Sequence, residues 1–316
     1  MDLVVSILAI AIVAGTSLVY ATIGEIFTER AGILNLGIEG MMIMGAVSAF
    51  AAAYHTESAW VGVLVAMLVG GLLAAIHAFL TITLRADQVV SGLALTLFGT
   101  GLSSFLGQRL GPDGGPLVGL VGPRFREVSL PGLSNLPFFG PTLFNQDLLV
   151  YLMYLFVPIC AFFLYKTRPG LHLRAVGDSP QTADAMGIDV FKLRYLYTIF
   201  GGMLVGLGGA HLSLAYTPGW TENLTGGRGW IVIALVIFAT WDPFRAVLGA
   251  LLFGGVNAIQ FRLQASGTTI PASLLNMTPY ILTILVLVAI TWFESFRKRV
   301  GAPASLGLPY MREERS

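Results

Sequence analysis

Charge is scarce in this sequence: Asp, Glu, Lys and Arg make up 11% of 316 residues, where a soluble domain carries about 25%. With a net charge of +1, nothing points to nucleic acid. Cysteine is nearly absent too. The single Cys160 rules out an intrachain disulfide and a cysteine metal cluster, and reads as a small buried apolar residue. The four histidines, His55, His77, His172 and His211, lie far apart in the chain. No G-x-x-x-x-G-K-[ST] phosphate loop, no H-E-x-x-H and no G-x-S-x-G elbow occurs, which argues against an ATPase, a zinc protease and a serine hydrolase. The chain opens Met1-Asp2 and then turns apolar. Without an initial Lys or Arg, the first segment is expected to stay as a span rather than act as a cleaved leader.

What the chain has in place of charge is long apolar runs. Hydrophobic residues are 55% of the whole. They gather near 3–23, 33–54, 59–84, 88–108, 147–165, 195–216, 229–241, 246–264 and 275–293. A helix needs about 20 apolar residues to cross a bilayer, and helices satisfy their own backbone in lipid. The runs do not alternate as barrel strands do. The expected fold is therefore an all-α polytopic membrane protein of about eight to ten transmembrane helices. The run at 229–241 is short for a crossing and leaves the number open.

Lys and Arg set the sidedness. Nine crossings place loops 24–32, 85–87, 166–194, 241–245 and the C-terminal tail together. That side then holds 13 of the 18 basic residues, leaving Arg109, Arg124, Arg126, Arg228 and Arg262 opposite. The basic side is expected to be cytoplasmic, with the N-terminus outside. Two loops are long. Residues 111–145, rich in Gly and Pro, read as an ordered but irregular external loop. Residues 166–194 are the polar cytoplasmic loop. In it, Ser179-Pro180-Gln181-Thr182-Ala183-Asp184-Ala185-Met186-Gly187 predicts a short helix capped by Asp178 or Ser179, with Pro180 in its first turn and Gly187 at its C-terminal end. Such a helix suits docking of a partner and equally suits an ordinary surface.

Small residues crowd two spans, Gly201-Gly202, Gly206 and Gly208-Gly209 in one and Gly249 and Gly254-Gly255 in another, as close helix packing requires. Glu39 stands out as an acid inside an apolar run, with structural pairing, helix capping and the transport path as its possible roles. Asn257 and Gln260, three apart on one face, would suit a neutral polar solute or a helix–helix hydrogen bond. Arg228 is expected at the outer end of a span.

Three blocks carry a family resemblance. Residues 24–42, Gly-Glu-Ile-Phe-Thr-Glu-Arg-Ala-Gly-Ile-Leu-Asn-Leu-Gly-Ile-Glu-Gly-Met-Met, resemble the signature of permease subunits of ABC importers for nucleosides and simple sugars. That group belongs to the larger family of ribose and branched-chain amino acid permeases. Residues 174–188 resemble its cytoplasmic coupling segment. Gly226-Gly227-Arg228-Gly229-Trp230-Ile231 with Trp241-Asp242-Pro243 resembles the block after its second external loop. The resemblance, over about residues 20–295, implies one permease domain with a type II ABC importer-like fold in the bacterial plasma membrane. It implies no cofactor and no catalysis, ATP being hydrolysed on a separate subunit. It also implies a second homologous permease, a cytoplasmic ABC ATPase and an extracytoplasmic substrate-binding lipoprotein as partners. The coupling residues it indicates are Arg174, Gly177, Asp178, Pro180, Ala183, Asp184, Gly187 and Ile188. A nucleoside is the implied solute, with ribose, another simple sugar or branched-chain amino acids as alternatives. For a nucleoside path, Asn35, Glu39, Phe253, Asn257 and Gln260 are the candidates. A secondary transporter or channel, and a membrane enzyme or scaffold, remain the rival classes.

Overall fold

The computed structural model describes residues 2–267, 271, 274–275, 277–294 and 301–312. Arg297, Lys298, Arg299 and Arg315, counted above toward sidedness, lie outside the described residues.

Each apolar run forms a helix. The N-terminal half holds α1 (Asp2–Arg30), α2 (Ile38–Thr56), α3 (Ala59–Ala78, extended by a π turn, Phe79–Thr83) and α4 (Gln88–Gly107). A long loop follows: a 3-10 turn (Pro112–Gly114), strand β1 (Glu127–Ser129), the short α5 (Phe139–Leu143) and strand β2 (Asn145–Asp147). The strands pair antiparallel, Val128 opposite Gln146. Asp147 then caps α6 (Leu148–Lys166), its Oδ1 accepting from the N–H groups of Leu149 and Val150.

Segment 166–194 carries two helices, α7 (Arg168–Asp178) and α8 (Pro180–Ala185). Beyond it run α9 (Val190–His211, with a π turn, Leu212–Tyr216), α10 (Arg228–Ala239), α11 (Pro243–Ala265) and α12 (Thr278–Glu294).

Among the described residues, six helical segments have the length and apolarity to cross a bilayer: Val4–Arg30, Ala59–Thr83, Gln88–Gly107, Leu148–Lys166, Val190–Tyr216 and Pro243–Gln264. α2 has the length but is diluted by Glu39 and by Tyr54-His55-Thr56, and most of it is buried among other helices. α10 and α12 have 12 and 17 residues. At 1.5 Å per residue, α10 covers only about 18 Å.

α1, α2, α3 and α9 pack around the centre, where glycines let backbones touch. A Cβ on Gly45 would stand 2.6 Å from the Gly206 carbonyl oxygen, and one on Gly208 2.7 Å from that of Ser17. Lipid-facing sides stay apolar and exposed: Leu64, Leu68 and Leu72 on α3, Leu97 and Phe98 on α4, Leu155 and Phe162 on α6.

The helix ends gather in two groups. The Arg30 end of α1, α7, α8, the start of α9 and residues 301–312 touch one another at one end. At the opposite end His55 meets the Leu110 carbonyl, Gln108 meets Glu222, and the Phe125 N–H donates to the Leu214 carbonyl.

Candidate translocation and coupling sites

The segment between α1 and α2 is irregular yet buried, so its polar groups must be met by protein. The Leu34 N–H donates to Gln88 Oε1 (2.7 Å), and the Leu34 carbonyl lies 3.0 Å from His77 Nε2. The Asn35 N–H donates to Glu25 Oε1 (3.3 Å), and Asn35 Oδ1 accepts from the Gly37 N–H (2.9 Å). Glu29 accepts from Trp241 Nε1 (2.6 Å). Glu25 and Glu29 are thus buried acids as well as Glu39. Because they sit beside charged Arg30 in the sequence, the apolar-run reading passed over them. Asn35, 1% exposed, helps build this turn.

Glu39 holds the start of α10. Its Oε1 accepts from Thr225 Oγ1 (2.5 Å) and the Gly227 N–H (2.9 Å), and its Oε2 from the Gly229 N–H (2.6 Å). A helix that begins inside the bundle exposes N–H groups and a positive dipole end. A carboxylate from a neighbouring helix answers both. Gly227 adopts φ +84°, and a Cβ on Gly229 would stand 2.8 Å from Glu39 Oε2. These two glycines allow the carboxylate its approach. Of the roles open to Glu39, capping is the one the structure displays.

Arg228 is buried, not at the outer surface. Its Nη1 donates to the Ala14 carbonyl (3.0 Å), near the middle of the α1 span, and its guanidinium lies 5.0 Å from the centre of the Tyr216 ring. Glu222, six residues before it in the chain, bonds Gln108 instead.

Beside this junction opens a cavity of about 400 Å³, within the ~300–1,000 Å³ usual for small ligands. Its polar lining includes Tyr216, Thr217, Asn223, Thr225, Asn257 and Gln260, and Tyr280 closes one side. Asn257 and Gln260 therefore meet on the cavity, as their spacing suggested. Phe253 does not line it; it is 1% exposed and belongs to the core. The sequence reading missed Tyr216, Thr225 and Tyr280, which come from three separate elements that only the fold brings together.

At the other end α8 forms as expected and α7 was missed. Ser179 is the N-cap position, with its Oγ 2.7 Å from Thr182 Oγ1. Asp178 is the last residue of α7. The Ile188 N–H donates to the Ala183 carbonyl and the Gly187 N–H to the Asp184 carbonyl, with Gly187 at φ +81°, the Schellman ending. Pro180 and Ala183 are buried against the rest of the platform, while Met186 is 78% exposed at the tip. Gly177 is buried where α7 crosses the end of α1, its site leaving no room for a Cβ against the Arg30 carbonyl. Arg174 stacks over the Tyr165 ring (5.6 Å). Thr167 caps α7, its Oγ1 accepting from the Gly170 N–H (3.2 Å), with Pro169 in the first turn. This start signal at Thr167-Arg168-Pro169 could have revealed α7.

Residues 6–291 match the family of branched-chain amino acid transport system / permease components. The chain belongs to that family. The permease is 41% identical to a putative glucose ABC transporter permease protein of Haloferax volcanii, over 95% of each chain. It is 35% identical to the nucleoside ABC transporter permease protein NupC of Lactococcus lactis, over 98% of this chain and 97% of that one. The guanosine ABC transporter permease protein NupQ of Bacillus subtilis is 33% identical, over 97% and 98%. Among solved structures, an inward-facing conformation of a putative metal-chelate type ABC transporter shares the fold at a TM-score of 0.52 and 16% identity, covering 90% of this chain and 85% of that one. The permease is a multi-pass plasma-membrane transporter subunit, not an enzyme, of a system that includes an ATPase and a substrate-binding protein.

Proposed function

We propose that the permease carries a nucleoside inward along a path completed by a second, homologous permease, with the ATPase docked on segment 166–194. The observation that carries the solute reading is the cavity at the start of α10. Its amides and hydroxyls, Asn223, Asn257, Gln260, Thr217 and Thr225, suit ribose hydroxyls and base edges, and the Tyr216 and Tyr280 rings suit an apolar base face. Glu39, beside the cavity, is held by three donors, and Arg228, which lines it, donates to the Ala14 carbonyl. The α10 terminus, already capped, is not offered to an anion. A neutral, hydroxyl-rich solute fits this balance, and full-length similarity to two nucleoside permeases supports it.

A hexose is the second reading, favoured by the 41% identity to the Haloferax volcanii protein. The two separate in an uptake assay. Cells lacking their own nucleoside uptake, given the permease with its partner permease, ATPase and binding protein, should accumulate labelled uridine or adenosine in an ATP-dependent way. Unlabelled nucleosides should compete and glucose should not. Competition by glucose alone would transfer the assignment to the hexose. Asn257→Ala should lower uptake about tenfold at equal protein level, the effect of losing one contact of ~1.4 kcal/mol.

A further inference from the structure

Residues 301–312 return to the bundle beneath α7 and α8. Ser305 is their anchor. Its N–H donates to the Gly177 carbonyl (2.9 Å), its hydroxyl donates to the same oxygen (2.6 Å), and Arg194 Nη2 donates to its Oγ (3.1 Å). Arg194, 1% exposed at the start of α9, also donates to the Leu308 carbonyl (3.2 Å). The Gly307 N–H donates to the Gly32 carbonyl at the end of α1 (3.3 Å). Gly32 has φ +86°, and a Cβ there would stand 2.7 Å from Ser305 Oγ and 2.8 Å from Arg194 Nη2. Further along, Tyr310 packs with Val176 of α7, Ala183 of α8 and Val190 of α9, its ring 5.5 Å from that of Phe191. Arg312 pairs with Asp184 (3.0 Å).

One short segment thus touches four elements: the end of α1, α7, α8 and the start of α9. A buried arginine bonded to a buried hydroxyl and a carbonyl is costly to pull apart, since separation strands a charge. Farther along, the same two helices both reach Arg228, which lines the cavity. Ala14 of α1 accepts from Arg228, and Tyr216, in the π turn that ends α9, lies under its guanidinium. Ala14 is about 24 Å along α1 from Arg30.

We propose that residues 301–312 are a clasp that makes α7 and α8 one rigid body with the inner ends of α1 and α9, so that displacement of α8 is delivered along both helices to Arg228 and the cavity. Arg194 and Ser305 are its positioning residues. The proposal rests on the reading that α8 is where the ATPase docks.

The test uses the complete complex in proteoliposomes and reads two quantities: solute taken up per ATP, and the stimulation of ATP hydrolysis by loaded binding protein. A chain ending at residue 300 should keep its ATPase and basal hydrolysis. Its stimulation should largely vanish and uptake per ATP should fall about tenfold, within the usual 5–150-fold range of coupling between sites. In a Cys160→Ala background, Phe191→Cys and Tyr310→Cys joined by a short bis-maleimide should retain uptake, because the clasp moves with α9. Wild-type uptake per ATP in the shortened chain would overturn the proposal. So would loss of uptake on cross-linking, which would mean that the segment must detach in each cycle. If the shortened chain fails to assemble, the cross-link decides. A wild-type complex that binds no ATPase or shows no ATP-driven uptake defeats the importer reading instead.

Discussion

Glu39 is a negative charge that the protein has turned inward to start a helix. Removing its side chain by Glu39→Ala strands the Thr225 hydroxyl and the N–H groups of Gly227 and Gly229, each costing about 1–3 kcal/mol when buried without a partner. The expected loss is ~3–5 kcal/mol, because Arg228 nearby also loses its opposite charge. Glu39→Gln keeps one carbonyl acceptor but gives up attraction to the α10 dipole, at ~1–2 kcal/mol. Thermal unfolding of the purified permease in detergent should rank wild type above Gln above Ala. An Ala variant as stable as wild type would mean that Glu39 is not the cap of α10. At this scale the sequence told which residues were unusual but not what they touch. Glu39 and Gly229 are 190 positions apart, and no spacing rule links them. Asn257 and Gln260 were legible as sharing a face because they lie on one helix, whereas Phe253 was placed in the path on residue type alone and is core.

Among elements, α8 was readable from local chemistry: a Ser–Pro start, a Gly close, and a polar loop around it. α7 was hidden because its buried residues, Gly170, Leu173, Val176 and Gly177, form too short a pattern beside so many longer apolar runs. α10 was legible as short, but not as a helix that starts inside the bundle. The Schellman ending makes a sharp prediction. Gly187 sits at φ +81°, where proline's fixed φ near −65° cannot go. Gly187→Pro should therefore unwind the last turn of α8. Ala183→Trp should lift α8 from Val176, Val190 and Tyr310, since Ala183 is 3% exposed among them. Both variants are expected to insert into the membrane normally and to lose about tenfold in uptake and in solute-stimulated ATP hydrolysis, again a coupling-sized effect. Normal stimulation in both would remove α8 from the coupling route.

At the scale of the whole molecule the constraint is the bilayer. All nine apolar runs became helices because lipid offers an unpaired backbone nothing else. The central packing of α9 on α1, α2 and α3 was foreshadowed by Gly201-Gly202, Gly206 and Gly208-Gly209, although which helices they meet depends on the fold. Sidedness follows from charge. The end that gathers Arg30, Arg168, Arg174, Lys192, Arg194 and Arg312 should face the cytoplasm, and Arg124 and Arg126 in the long loop should face outward. Single cysteines in a Cys160→Ala background test this directly. Val121, 87% exposed in the loop after α4, and Met186, 78% exposed at the tip of α8, should report opposite sides. In intact cells a membrane-impermeant maleimide should label Val121→Cys at once and Met186→Cys only after permeabilisation. The reverse pattern would invert the permease, place segment 166–194 out of reach of any cytoplasmic ATPase, and undo the coupling assignment together with the topology.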